Sequence, residues 1–229
     1  MAGKVAVIIP ARNEQDAILR VLADIPPATA DDIIVVDNDS ADATAQRAAE
    51  WGARVVHEPR RGYGQACLAG IAALHPETEI VVFLDGDYSD YPGEMVDLLE
   101  PLLAGQVDFV VGSRVLGRRE PGAMLPQARF GNALATVLIR WLYRVSYTDL
   151  GPFRAIRRET LERIGMSDRD FGWSVEMQVK AARLGVAAVE VPVSYRRRLA
   201  GASKVTGTWA GTVRAGWKIL GTIFRHARR

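Results

Sequence analysis

Six short apolar runs, each closed by a polar or glycine-bearing turn, leave this chain few architectures to choose from. They are Lys4–Ile9, Asp32–Asp37, Ala53–His57, Glu79–Leu84, Val107–Gly112 and Ala188–Val193. Helical patterning fills the intervals at Glu14–Ala23, Ser40–Ala49, Tyr63–Leu74, Gly93–Leu103 and Ser174–Leu184, with Ser40 read as an N-cap and Asp42 in the first turn. Runs that are apolar throughout, rather than alternating, are strands buried on both faces. The expected fold is therefore α/β, with a Rossmann-like, mostly parallel central sheet flanked by helices. A chain of 229 residues buries about 70% of its extended surface, so no staple is needed. Its one cysteine, Cys67, excludes a disulfide framework and a multi-cysteine zinc site and reads as a small buried side chain. Leu116–Arg129, rich in Gly, Pro and Arg, reads as a loop, and Trp141 and Tyr143 read as core packing, the alternative being the lining of an acceptor or lipid channel.

In sheets of this kind ligands bind beyond the carboxyl ends of the strands. That is where the polar residues collect: Pro10-Ala11-Arg12-Asn13-Glu14, Asp37-Asn38-Asp39-Ser40, Arg60-Arg61-Gly62-Tyr63-Gly64, Asp85-Gly86-Asp87 and Gly112-Ser113-Arg114. Neither GxGxxG after the first strand nor GxxxxGK[ST] is present, which disfavours a dinucleotide-dependent dehydrogenase and a P-loop nucleotidase. Asp85 and Asp87, emerging around a glycine from Val81-Val82-Phe83-Leu84, are oxygen ligands suited to a hard cation, Mg²⁺ or Mn²⁺. Two carboxylates leave coordination positions for substrate phosphates and water.

These segments, with Gly201-Ala202-Ser203-Lys204, resemble in order the motifs of a family 2 glycosyltransferase of GT-A fold, in its dolichyl- or polyprenyl-phosphate mannose or glucose synthase branch. The resemblance runs from residue 9 to 204. It implies an inverting, metal-dependent transferase that moves a hexose from a GDP- or UDP-linked sugar to polyprenyl or dolichyl phosphate. The alternative is transfer to a soluble or cell-surface hydroxyl acceptor. By the same resemblance Pro10, Arg12, Glu14, Asp37, Gly62, Asp85 and Lys204 serve the nucleotide and diphosphate, and Asp85, Asp87 and Ser89 the metal. Asp87, Arg114 and Asp149 fall to catalysis, and Arg154, Arg198 and Ser203 to the acceptor; Arg196 joins them because alternation along an extended piece after Tyr195 sends it to the same side as Arg198. Two positions depart from the pattern. Asp37-Asn38 stands where Asp-Asp is common, and Gly151-Pro152-Phe153-Arg154 carries an extra proline. An ionised lipid phosphate needs no general base; a hydroxyl acceptor does, and Glu176 is the candidate.

Charge is divided unevenly along the chain. From Ser194 onward there are nine Lys or Arg and no Asp or Glu, whereas the preceding 193 residues hold 20 basic and 27 acidic. On Thr206–Ala227, Trp209, Val213, Trp217, Leu220 and Phe224 form one apolar face, widened by Ile219 and Ile223, opposite Arg214, Lys218 and Arg225. The expected organisation is a catalytic domain over 1–205 and a basic amphipathic helix over 206–229 that lies on a membrane surface. That places the protein in the cytoplasm, peripheral to the inner face of the membrane, with a membrane partner protein or a homo-oligomer as further partners. A nucleic-acid-binding module would use the same basic arm, but carboxylates at the strand ends repel phosphates, so no nucleic acid is expected.

Overall fold

The computed structural model describes residues 4–200 and 209–227, with the side chains of 209–215 excepted. Seven strands form one sheet in the order β3-β2-β1-β4-β6-β5-β7. In chain order they are β1 (Lys4–Ala11), β2 (Asp32–Asp37), β3 (Arg54–His57), β4 (Thr78–Phe83), β5 (Phe109–Ser113), β6 (Arg154–Arg157) and β7 (Ala188–Pro192). Only β6 runs against its neighbours, pairing antiparallel with both β4 and β5. The other strands are therefore all codirectional, and β1, β2, β3, β4 and β5 end on one edge. Because β6 is reversed, it begins on that same edge.

The helices are α1 (Ile18–Ala23), α2 (Thr44–Trp51), α3 (Tyr63–Ala72), α4 (Met95–Leu103), α5 (Pro126–Tyr143), α6 (Arg158–Ile164), α7 (Trp173–Arg183) and α8 (Trp209–Ala227). Successive β1 side chains point to opposite faces: Val5, Val7 and Ile9 join α1 and α4 residues, while Ile8 joins residues of α3, α5 and α7. Both faces of the sheet are thus covered, which explains why the strands read as unbroken apolar runs. Each fully buried aliphatic chain contributes about 1.5–3 kcal/mol relative to exposure.

Three differences from the sequence reading have local causes. The α2 helix starts at Thr44, not Ser40: Ser40 instead accepts the Asn13 N–H at 3.0 Å, and Asp42 accepts the Thr44 N–H at 3.0 Å. Strand β6 is only four residues, Arg-Ala-Ile-Arg, with charge at both ends, so no apolar run announces it. The segment Leu116–Arg129, read as a loop, ends inside the first four residues of the 18-residue α5, with Pro126 in its first turn, where a proline costs no hydrogen bond. Trp141 on that helix is exposed, not packed in the core, whereas Tyr143 is half-buried and donates to the Ile223 carbonyl of α8 at 2.5 Å.

Candidate active site

The shared strand edge gathers most of the residues singled out above. Asp85 leaves β4 half-buried, and the Tyr63 hydroxyl, from the first residue of α3, donates to its Oδ1 at 2.9 Å. Asp87 accepts the Ser89 N–H at 2.9 Å through Oδ1 and faces Arg198 at 3.3 Å through Oδ2. Arg198 also pairs with the buried Glu14 carboxylate, which lies just past β1. Loss of water, reinforced by the charge of Asp87, pushes the Asp85 pKa up to about 7. Asp90, one turn on, is buried with neither carboxylate oxygen partnered among the described residues. Burial, then Asp85 and Asp87, push its pKa well up. A crowded pair of carboxylates with this cost of ionisation is what a divalent cation relieves, so Asp85 and Asp87 fit the ion expected there. No group of three or more Asp, Glu, His or Cys among the described residues is arranged to hold one, so phosphate oxygens and water must complete the shell.

Asp37 ends β2 buried. Its Oδ2 lies 3.1 Å from His57 Nδ1, and its Oδ1 has no partner among the described residues. An unpaired buried acceptor at a ligand-binding edge is suited to a donor from outside. Asn38 beside it is committed to the fold: its amide donates to the carbonyls of Glu58 and Arg60 at 3.0 and 2.8 Å and accepts the Gly62 N–H at 2.9 Å. An aspartate there has no amide to donate, which gives the departure at this position a structural reason. Glu58 continues the latch. It is gripped by Arg60 and Gln65, and Arg60 above all holds its pKa down at about 2.

The Gly62-Tyr63-Gly64 turn is closed from above by the segment 168–169. A Cβ on Gly64 would lie 2.1 Å from the Asp168 carbonyl oxygen, and one on Gly62 would lie 2.2 Å from that of Arg169. Gly62 also has φ +150°, which disfavours a side chain. Glu176 holds that covering segment in place from the first turn of α7. It accepts the N–H groups of Ser167 and Asp168 at 3.1 and 2.8 Å, the Ser167 hydroxyl at 2.5 Å and Lys180 at 2.8 Å. Burial raises its pKa, but Lys180 and Ser167 outweigh that and leave it lowered. Its lone pairs are taken, so it is placed as an anchor, which is unfavourable for a base.

At the end of β5, Arg114 makes three bonds of 2.8 Å to Asp149, from its backbone N–H, Nε and Nη2. Burial opposes the Arg114 charge, and Asp149 more than compensates. The guanidinium also lies 4.9 Å from the Tyr195 ring centroid.

Other expected residues occupy different places. Arg154 is fully buried, donating to the carbonyls of Ser174, Leu150 and Gly151, with its guanidinium 6.0 Å from the Phe109 ring. It braces the start of β6 from inside and has no surface on which to meet an acceptor. Arg196 is stacked on Tyr88 and Tyr91 at 3.2 and 4.2 Å and donates to the carbonyls of Tyr88 and Asp90. It fastens the turn after Asp87 and is not turned toward a ligand. Arg198 belongs with the carboxylates. Ser89 is buried and contributes its backbone N–H to Asp87. Pro10 is paired with Val36 within β1 and β2, and Arg12 stands just beyond, on the edge. Ser203 and Lys204 lie outside the described residues, as do the side chains of Trp209, Val213 and Arg214. Tyr63, Glu58 and Asp90 were not singled out. The glycines flanking Tyr63 were the available signal for that residue; Glu58 and Asp90 carry none in the sequence.

The sequence pattern of the glycosyl transferase family 2 model matches residues 6–165, most of the sheet and all of its ligand edge up to Arg154. The chain belongs to that family. It is a nucleotide-sugar-dependent glycosyltransferase. The transferase is 40% identical over 227 residues to an uncharacterised glycosyltransferase of Mycobacterium tuberculosis strain H37Rv, covering 96% of this chain and 100% of that one. It is 33% identical to the undecaprenyl-phosphate mannosyltransferase of Micrococcus luteus, covering 91% and 90% of the two chains. Its fold matches glucosyl-3-phosphoglycerate synthase from Mycobacterium tuberculosis, solved with Mn²⁺ and UDP-glucose. The TM-score is 0.78 at 25% identity, over 99% of this chain and 79% of that one.

Proposed function

We infer that the transferase takes glucose or mannose from a UDP- or GDP-sugar and passes it to an acceptor that carries a phosphate. The observation behind this is the Asp85–Asp87 pair, crowded together at the end of β4 with Arg198 and the Tyr63 hydroxyl as its partners. Asp85 and Asp87 would hold Mg²⁺ or Mn²⁺, which would supply positive charge beside a leaving diphosphate. Asp37 Oδ1 accepts a hydrogen bond from the ribose or base, and the Gly62–Gly64 turn, packed under the 168–169 segment, fixes the start of α3 beside it. Arg114, held rigid by Asp149, orients the sugar and acceptor. The acceptor oxygen attacks C1 from the face opposite the diphosphate, which inverts the configuration.

Two acceptors have support of different kinds. Polyprenyl phosphate is named for the Micrococcus luteus relative, and its ionised oxygen needs no base. That suits a site in which Glu176 is fully engaged. A soluble acceptor attacking through a hydroxyl is favoured by the similarity in fold to glucosyl-3-phosphoglycerate synthase. The separating experiment is incubation with UDP- and GDP-linked glucose and mannose and either a short polyprenyl phosphate or phosphoglyceric acid, with and without EDTA, read by mass spectrometry. A glycosylated lipid phosphate establishes the first acceptor and a glycosylated acid the second. Turnover unaffected by chelator overturns the role of the carboxylate pair.

A further inference from the structure

Helix α5 is apolar on two opposite sides. Asn132, Ala135, Thr136 and Ile139 form its buried side. Phe130, Leu134, Val137 and Trp141, at spacings of four, three and four, fall within roughly 60° of one another on the other side. All four are exposed, Phe130 by 72% and Trp141 by 75%. A helix with apolar residues on both sides needs cover on both. Beside it packs α8, tied by the Tyr143–Ile223 bond. It buries Thr222 and Ile223 and leaves Trp217, 74% exposed, and Phe224 outside. The apolar face read from the sequence of α8 is thus split, its isoleucine side docking on the protein and Trp217 and Phe224 left uncovered.

Charge identifies the occupant. From Pro121 to Thr148 there are three arginines, Arg129, Arg140 and Arg144, and no Asp or Glu; from Ser194 to the end there is again no acid. All three arginines are exposed; on a helical projection Arg129 and Arg140 lie along one flank of the stripe, and Arg144 follows at the C-terminal end of the helix. Large exposed aromatics bordered by cations, with carboxylates missing from both segments of an otherwise acidic chain, match an anionic lipid surface. A second protein surface gives no reason for that exclusion of acids.

We propose that α5, with α8 beside it, is the face by which the transferase lies on an anionic bilayer, Phe130 and Trp141 entering the interface and the arginines meeting headgroups. The proposal deepens the polyprenyl-phosphate reading, on which its use to the enzyme rests, since a surface-bound transferase meets a lipid acceptor in two dimensions. No helix among the described residues is long and apolar enough to cross a membrane, so this contact is with one leaflet.

The test is co-sedimentation of the full chain with vesicles of phosphatidylglycerol and phosphatidylcholine, against vesicles of phosphatidylcholine alone. The wild type is expected to bind the anionic vesicles. The double variant Phe130→Ser, Trp141→Ser is expected to lose about ten-fold or more in partition, with its circular dichroism and melting unchanged. Absence of binding, equal binding to neutral vesicles, or equal binding by the variant overturns the proposal. So does a solution dimer that the substitutions dissociate, because the stripe is then covered by a second copy. The vesicles contain no polyprenyl phosphate, so a failure here is separate from a failure of the acceptor assay.

Discussion

At the scale of single residues, the site keeps charges where the fold alone would not place them. Asp85 has an ordinary carboxyl pKa when unfolded and about 7 when folded. The fold therefore bears no cost from it below the unfolded value, loses stability as pH rises between the two, and carries the full cost above the folded one. Asp85→Asn is expected to raise the melting temperature by a few degrees at pH 8 in EDTA and to leave it unchanged near pH 4, while abolishing transfer. Equal melting of the two proteins at pH 8 would show that the carboxylate is not strained. The Arg114–Asp149 pair behaves in the opposite sense. Asp149→Asn leaves Arg114 with half its partner in a nearly dry site and is expected to cost about 3–5 kcal/mol in urea unfolding. Arg114→Lys should also weaken transfer, because an ammonium cannot reproduce the two parallel side-chain bonds. Asp37, Asp85, Asp87, Arg114 and Asp149 could be named from the sequence, since strand ends and motifs mark them. The engagement of Glu176 could not, because its partners at 167 and 168 come from a segment whose path the sequence leaves open.

The elements show how contacts far apart in sequence shape the site. The segment 168–169 rests on Gly62 and Gly64, and is held by Glu176 on one side and by Lys218 of α8, 3.1 Å from Asp168, on another. Gly64→Ala introduces a Cβ where a carbonyl already stands. It should displace the segment and lower affinity for UDP or GDP in calorimetry by about ten-fold, with the melting temperature reduced as well. Removing residues 209–229 should lower the melting temperature by several degrees, since Ile219 and Ile223 cover part of the core beside α5 and α7. An unchanged melting temperature would instead support the separate unit expected from residue 206. All six apolar runs became strands within two residues of their expected bounds. Their burial on both faces gives the strongest pattern a sequence can carry. β6 and the greater part of α5 escaped the reading for contrary reasons. One is too short and charged at its ends. The other is apolar on two sides, which blurs the single-sided period that marks a surface helix.

For the whole molecule the distribution of charge matters more than its total, a formal +2. Vesicle binding through α5 and α8 should fall several-fold between about 0.05 and 0.5 M NaCl, as the Debye length shrinks from roughly 14 to 4 Å, whereas transfer to a soluble acceptor should change far less. Salt-independent vesicle binding would remove the arginines from the account. The sequence by itself determined the class of sheet, the edge that carries the chemistry and the carboxylates on it, because backbone hydrogen bonding and two-sided burial allow those apolar runs essentially one arrangement. Tertiary structure alone decided which charged groups remain available. Arg154 and Arg196 look like free cations in the chain, and became internal braces only when β6 reversed beside β4 and the turn at Tyr88 closed on a guanidinium. It also decided which apolar side of α5 was left without cover, since availability depends on what packs against a side chain from distant parts of the chain, and no local pattern encodes that.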